Sequence, residues 1–340
     1  MGLEIFWFCL IGVLWAGYFL LEGFDFGVGM LLPFLGRSER DRKAMFETIG
    51  PVWDGNEVWL VVAAGATFAA FPAWYGTMFS GFYLALLLVL VLLIVRVVSF
   101  EWRGKGHSER WRGAWTWANT IGSVGAPFLW GVALASLLRG VPIDSGGDFT
   151  GDVLDLFSLY SVAAGIAVVV LFAFHGATFL TLRTSGDLCE RAAAAAHRLA
   201  FPASALGAVA LVWTVAIAID RNDKDLFPPV LPAALGIAAL ALAVAFVLGR
   251  RSGAAFAMTG LGVILLVATL FTSLYPRVMV SSTDFANSLT IESAASSGYA
   301  LKVMTVVALT ITPVVLLYQA WSYYVFRRRV GLGGGEPAGY

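Results

Sequence analysis

Residues that carry redox or metal chemistry are scarce in this chain. It has two cysteines and three histidines in 340 residues, and it contains no Cys-x-x-Cys pair, phosphate-binding loop or glycine-rich dinucleotide fingerprint. Cys9 lies in an apolar run and Cys189 in a polar connector, so their separation argues against a disulfide. We therefore predict no metal site and no cofactor bound by this chain itself.

Charge is also scarce. Charged residues make up 13% of the sequence, against about a quarter in an average soluble domain. The net charge is zero and no basic tract is dense enough to predict nucleic-acid binding. Hydrophobic residues make up 59% of the chain and its mean hydropathy is +0.82, which indicates a polytopic membrane protein.

Long apolar runs predict an all-α fold with about nine transmembrane helices. Their approximate cores are Ile5–Phe34, Val52–Phe71, Met78–Phe100, Ala114–Leu138, Leu154–Leu182, Leu199–Ile219, Leu231–Leu248, Ala254–Tyr275 and Tyr299–Phe326. The amphipathic segment Arg37–Ile49 is too short and too charged to span, so we expect it at the membrane surface.

The predicted helices fall into two four-helix bundles plus one peripheral helix. Residues 1–138 would form the first bundle, 154–275 the second and 299–326 the ninth helix, with 331–340 as a mobile tail. Repeated bundles are common in membrane proteins, and Gly23–Gly29 in the first span is weakly echoed by Phe174–Phe179 in the fifth.

Basic residues in the connectors predict the orientation. With the N-terminus outside and the C-terminus in the cytoplasm, 16 of the 22 Lys and Arg residues fall in cytoplasmic segments and 5 in outer ones. This distribution satisfies the positive-inside rule.

Four carboxylates lie in the cytoplasmic halves of the first two predicted spans. Glu22 and Asp25 are three residues apart in the first span, and Asp54 and Glu57 are three apart at the start of the second, so each pair shares a helix face. Ionisable residues at membrane depth are costly and commonly mark an ion or proton path.

Arg96, near the inner end of the third span, is predicted to join these carboxylates. One guanidinium can hold one carboxylate ionised, while burial and repulsion keep at least one other protonated, which is the arrangement of a proton relay. Trp53 flanks the group and could seal it. The plainer alternative is a buried salt-bridge network that fixes helix register, with Asp54 serving only as a helix cap.

His175 is the one histidine inside a predicted span. It could ligate a haem or metal, but without a second histidine or methionine facing it the more common role is a hydrogen-bonded interior residue.

Three stretches give the sequence a resemblance to a known family. The segments Gly23–Met30, Trp53–Leu60 and Ser80–Tyr83, together with Arg96 and Phe100–Arg103, resemble subunit II of the cytochrome bd quinol oxidases. The Ser281–Thr283 and Asn287–Thr290 segments add to it, and the resemblance covers most of the chain.

The resemblance implies a subunit of a bacterial inner-membrane oxidase that oxidises quinol and reduces oxygen to water. It implies that haems b and d and the quinol site belong to a partner, subunit I, while this chain supplies a cytoplasmic proton route. Asp25, Trp53, Asp54 and Arg96 match that route, and Glu22 and Glu57 lie within the same motifs. The resemblance leaves open whether this chain binds a structural quinone or lipid and whether small accessory subunits bind.

Two other classes of protein are also consistent with the buried carboxylates. A proton-coupled secondary transporter would bind a substrate and work without haem. A purely structural partner of subunit I would use the same cluster as scaffold. An oxidase subunit should instead purify with a haem protein.

Overall fold

The computed structural model describes residues 2–330, so the predicted tail 331–340 lies outside the described part of the chain. Eleven α-helices, two short strands and two short 3-10 helices, Val153–Leu156 and Phe285–Asn287, make up the regular structure of this part. The α-helices and strands are α1 (Gly2–Leu35), α2 (Glu39–Ile49), α3 (Trp53–Ala70), α4 (Pro72–Gly81), α5 (Tyr83–Lys105), α6 (Glu109–Arg139), α7 (Leu159–Arg183), α8 (Gly186–Asn222), α9 (Val230–Leu248), α10 (Ser252–Leu274), β1 (Arg277–Met279), β2 (Leu289–Thr290) and α11 (Gly298–Val325).

The predicted fold class, an all-α polytopic membrane protein, is confirmed. Eight helices within residues 2–330 are long and apolar enough to cross a membrane: α1, α5, α6, α7, α8, α9, α10 and α11. The second predicted span, Val52–Phe71, forms α3, whose 18 residues begin with a polar first turn and which is not among the eight. The expected number of nine is therefore approximate.

Three predicted starts were wrong. The fifth span was expected to begin at Leu154, but Leu154 lies in the short 3-10 helix Val153–Leu156 and α7 begins only at Leu159. The third span was expected to begin at Met78, but Met78 lies in α4, which opens with Pro72 in its first turn, and α5 begins only at Tyr83. The sixth span was expected over Leu199–Ile219, but α8 has 37 residues and so is about 55 Å long. Its alanine-rich beginning is strongly helix-forming, which continues the helix past the apolar segment.

Helix α1 lies at the centre of the molecule and packs against α3, α6, α7 and α10. At its closest approach to α7, Gly27 meets Gly176, and a Cβ placed on Gly27 would lie 2.1 Å from the Phe172 carbonyl oxygen and 2.7 Å from the Gly176 Cα. The weak sequence echo between the first and fifth spans thus falls where two glycines let backbones meet.

We expect Gly27→Ala to destabilise the protein by about 1–3 kcal/mol, because backbone atoms on α7 cannot yield to the new methyl group as a flexible side chain could. The midpoint of thermal unfolding of the purified protein would measure this. Gly113→Ala is the matched control, since a Cβ there has no neighbour within 4 Å. Equal midpoints for the two variants would contradict this close packing.

The connector after α10 packs on the loop that follows α6. Strands β1 and β2 pair antiparallel, and Ser281 Oγ and Thr283 Oγ1 donate to the Ile143 carbonyl at 3.1 and 2.6 Å. This connector therefore closes over the loop that follows α6.

Helix α2 is the amphipathic segment expected at the membrane surface. Ser38 and Asp41 form a reciprocal capping box at its start, and Asp41 Oδ2 lies 2.8 Å from Arg191 Nη2 on α8. Burial alone would raise the pKa of Asp41, but the hydrogen bonds from Ser38 and the charge of Arg191 outweigh it and hold that pKa below its ordinary value of 3.8.

A carboxyl whose pKa is lowered by folding stabilises the fold above its unfolded-state pKa and loses that contribution as pH falls through the folded-state value. We therefore expect Asp41→Asn to speed local opening of α2 about tenfold at pH 7, equivalent to about 1.4 kcal/mol. Hydrogen–deuterium exchange of α2 in the purified protein measures this opening. The difference from the unchanged protein should shrink below about pH 4.

Glu47→Gln is the control on the same helix, because Glu47 makes only an exposed pair with Lys43 at 3.8 Å. If the difference in exchange rate between Asp41→Asn and the unchanged protein persists below pH 4, the charge of Asp41 is not what holds α2 in place.

Candidate functional site

Helices α1 and α5 bury an ion pair in the interior of the protein. Glu22 on α1 and Arg96 on α5 are both fully buried, and Arg96 Nη1 donates to Glu22 Oε1. Burying either charge alone would be costly, so each group stabilises the other.

Aromatic rings and a neighbouring helix hold Arg96 in place. Its guanidinium carbon lies 4.5 Å from the ring centre of Phe26 and 5.5 Å from that of Phe100, so its charge faces two aromatic rings. Behind it, Ser99 Oγ donates to the Arg96 carbonyl at 2.5 Å and Asn119 Nδ2 on α6 donates to Ser99 Oγ at 2.9 Å. The arginine therefore has a fixed position between α1, α5 and α6.

Asp25 is the second fully buried carboxyl of α1. Asn56 Nδ2 on α3 donates to Asp25 Oδ2 at 2.7 Å. The side-chain oxygen of Asn56 in turn accepts from Tyr323 Oη at 2.7 Å and Gln319 Nε2 at 3.1 Å, both on α11. These two donors fix the orientation of the amide, so that its NH₂ group faces Asp25.

The first two turns of α3 connect this interior to the protein surface. Asp54 is exposed, whereas Glu57, one turn later, is partly buried and lies within electrostatic range of both Arg96 and Asp54. Val52 is the N-cap of α3 and no side chain caps the helix, so the alternative role of Asp54 as a cap is not observed.

Trp53 is partly buried and covers one edge of the cluster. Its ring lies 5.3 Å from that of Phe100, which itself faces Arg96. Trp53 therefore contacts the ionic groups only indirectly, through Phe100.

The charges of the interior do not balance if every carboxyl is ionised. Glu22, Asp25 and Glu57 share the single guanidinium of Arg96, which would leave two negative charges without compensation. Such charges are strongly disfavoured in a membrane protein interior, so at least one carboxyl carries a proton. A group that exchanges such a proton with an exposed carboxyl can pass protons inward.

The structure brings together the predicted residues Glu22, Asp25, Glu57 and Arg96, and it places Asp54 and Trp53 at the edge of this cluster. Sequence reasoning missed Asn56, Gln319 and Tyr323. Asn56 stands between Asp54 and Glu57 in the chain, and Gln319 and Tyr323 are polar residues within an otherwise apolar span, a pattern that could have drawn attention to them.

His175, the other candidate in a span, is fully buried on α7. Its Nδ1 lies 2.7 Å from Thr259 Oγ1, its Nε2 lies 3.3 Å from the Leu20 carbonyl, and its ring stacks on Phe256 at 4.6 Å. Both ring nitrogens therefore have protein partners, as in a hydrogen-bonded interior histidine. Within residues 2–330, no cluster of three or more His, Cys, Asp or Glu side chains could hold a metal ion.

These features define a polytopic helical membrane protein with a buried acidic cluster that extends to the exposed first turn of α3. Comparison with known proteins gives its family. The family described as cytochrome bd terminal oxidase subunit II matches residues 3–326. The chain belongs to this family and is a subunit of a bd-type quinol oxidase, an oxidoreductase.

Individual relatives agree along nearly the whole chain. It is 45% identical over 329 residues to cytochrome bd ubiquinol oxidase subunit 2 of Bacillus subtilis, covering 95% of this chain and 96% of the relative. It is 37% identical over 361 residues to cytochrome bd-I ubiquinol oxidase subunit 2 of Escherichia coli K12, covering 96% and 95%.

The fold is also similar to a solved chain of the bd oxidase from Geobacillus thermodenitrificans, with a TM-score of 0.76 at 19% identity and coverage of 96% and 97%. The resemblance inferred from the motifs is confirmed, and the transporter alternative is not favoured.

Proposed function

We propose that this chain, paired with subunit I, carries protons from the cytoplasm into the membrane interior for the reduction of oxygen. The observation that carries the proposal is the buried group Glu22, Asp25 and Arg96, joined through partly buried Glu57 to exposed Asp54.

The order of the groups follows their burial. Asp54 takes up a proton at the surface, Glu57 receives it one helical turn further in, and Glu22 and Asp25 hold it in the fully buried interior. Arg96 compensates one negative charge throughout, so a proton can move among the carboxyls without adding a second uncompensated charge. Asn56 orients Asp25 by its hydrogen bond.

We assign haems b and d, and the quinol site, to subunit I. The protein partners of both His175 ring nitrogens support this assignment, because the one intramembrane histidine of this chain is already satisfied. The chemistry of oxygen reduction would then lie in the partner, with this chain supplying protons.

The face formed by α3 and α11 is the one we propose for subunit I. Of the residues of α11 only Leu301 is buried, and apolar side chains such as Val58, Val61 and Val314 are exposed on the two helices. Gln319 lies among them, and a polar group at such a position favours a protein neighbour over lipid. A proton held at Asp25 would thus be close to the partner.

The membrane arrangement completes the proposal. The chain would lie in the bacterial cytoplasmic membrane with its N-terminus outside and its C-terminus inside, as the distribution of Lys and Arg supports. Contacts among α7, α8, α9 and α10, and of α6 with α5 and α1, support two four-helix bundles over 1–138 and 154–275, with α11 outside them.

Removing the outermost carboxyl tests the route. We expect Asp54→Asn to slow quinol-driven oxygen consumption by the purified complex about tenfold, because proton uptake loses its first acceptor, while Asp54→Glu keeps most of the rate. The reduced-minus-oxidised haem spectrum should be unchanged, since Asp54 is exposed.

Asp187→Asn serves as the control, because Asp187 is an exposed carboxylate in the first turn of α8, away from the cluster. An Asp54→Asn complex with full activity would refute Asp54 as the uptake group. Loss of haem would instead favour a structural role.

A further inference from the structure

A cavity of about 700 Å³, unrelated to the carboxyl cluster, opens between α7, α8, α9 and α10. It lies at the membrane face that carries most of the basic residues. Thr178 and Thr181, near the end of α7, form its floor, and Val247, Leu248 and Ala255 contribute to its walls. This volume falls within the range of pockets that enclose small organic ligands.

Three arginines surround this cavity without a carboxylate partner. Arg198 comes from α8, and Arg250 and Arg251 form the tight turn between α9 and α10. None of the three takes part in an ion pair within residues 2–330. Glu190 is the one carboxylate among the described residues that line the cavity, so the guanidiniums outnumber it three to one.

Other arginines near this membrane face behave differently. Arg42, Arg103 and Arg112 pair with Glu39, and Arg191 pairs with Asp41. The acidic residues of α2 thus compensate the charges of their neighbours, whereas the positive charge around the cavity is left for an external anion.

The depth of the cavity suits an amphiphile. Arg250 and Arg251 lie outside the ends of α9 and α10, while Thr178 lies five residues before the end of α7, about 7–8 Å further in. The site is therefore positive at the membrane surface and apolar along its walls below. A phosphate at the arginines with acyl chains along Val247 and Leu248 matches both properties.

We propose that this cavity binds an anionic phospholipid of the adjacent leaflet, with its phosphate held by Arg198, Arg250 and Arg251. Guanidinium groups bind phosphate oxygens through paired charge-assisted hydrogen bonds, and basic pockets between transmembrane helices are suited to anionic headgroups. The proposal is independent of the proton route, because none of its residues belongs to the carboxyl cluster.

The test uses the complete oxidase complex, stripped of lipid in mild detergent and titrated with dioleoyl phosphatidylglycerol or dioleoyl phosphatidylcholine. Native mass spectrometry counts the lipids bound. We expect the unchanged complex to bind phosphatidylglycerol at least tenfold more tightly than phosphatidylcholine at its strongest site. The variant Arg198→Gln/Arg250→Gln/Arg251→Gln should lose this preference.

Two further variants separate the cavity from general charge. Arg327→Gln/Arg328→Gln/Arg329→Gln removes the same charge from an exposed segment after α11 and should leave the preference within twofold. Ala193→Trp, at an exposed position of α8 that lines the cavity, keeps the charge but fills the space and should weaken phosphatidylglycerol binding. The haem spectrum confirms that each complex is assembled.

Three outcomes would overturn the proposal. Equal loss of preference in both arginine variants would show general electrostatic attraction, and unchanged binding in the Ala193→Trp complex would place the lipid elsewhere. Full competition by millimolar inorganic phosphate would show a site for a free anion.

Discussion

Replacing Asp25 with asparagine is expected to slow quinol-driven oxygen consumption by about 100-fold while haem content stays normal. Asparagine has the shape of aspartate and can still accept the hydrogen bond that Asn56 donates to Asp25 at 2.7 Å. It cannot take up or release a proton, and a positioned proton-transfer group typically contributes about 10²–10⁴-fold to a rate. Packing is thus retained and the transfer step is lost.

Oxygen uptake with saturating quinol, normalised to haem content, measures this effect. Asp187→Asn, which removes an exposed carboxylate outside the cluster, should be as active as the unchanged complex. If Asp25→Asn keeps full activity, Asp25 is not a proton carrier. If it loses haem or fails to assemble, the cluster is a scaffold.

The largest effect on stability is expected from Arg96→Gln. This change leaves the fully buried Glu22 without its guanidinium partner, and breaking a buried ion pair in this way costs about 3–5 kcal/mol. The yield of assembled complex and its thermal midpoint should both fall markedly. Glu22→Gln alone should also destabilise, because it leaves the guanidinium unpaired.

The double variant Glu22→Gln/Arg96→Gln distinguishes structure from function. Since it removes both charges, much of the lost stability should return, and the two effects should not add. If Glu22 carries protons, the stable double variant stays slow in oxygen uptake. Recovery of both stability and activity would show that the ion pair only fixes the helices.

The sequence predicted the participants of the cluster better than their arrangement. Intramembrane Glu22, Asp25 and Arg96 are conspicuous in apolar helices, and spacing alone places the first two on one face. Spacing also gave Asp54 and Glu57 a shared face, yet one is exposed and the other partly buried. That difference depends on which neighbouring helix covers the face, which no local pattern records.

Long-range hydrogen bonds were beyond prediction for the same reason. Tyr323 and Gln319 donate to Asn56 across more than 260 positions of the chain, because α11 returns to lie beside α3.

Helix ends were predicted wrongly where helix propensity and hydropathy disagree. The early residues of α8 are alanine-rich and helical but lie outside the apolar run, and Pro72 starts a separate helix before α5.

The most direct measurement is single-turnover oxidation of the fully reduced complex by oxygen, with haem absorbance and proton uptake from a pH-indicator dye recorded together. In Asp25→Asn we expect oxygen to bind at the normal rate, while proton uptake and the haem oxidation linked to it slow about 100-fold. Proton uptake at the normal rate in an assembled Asp25→Asn complex would contradict the role of this chain as the proton route.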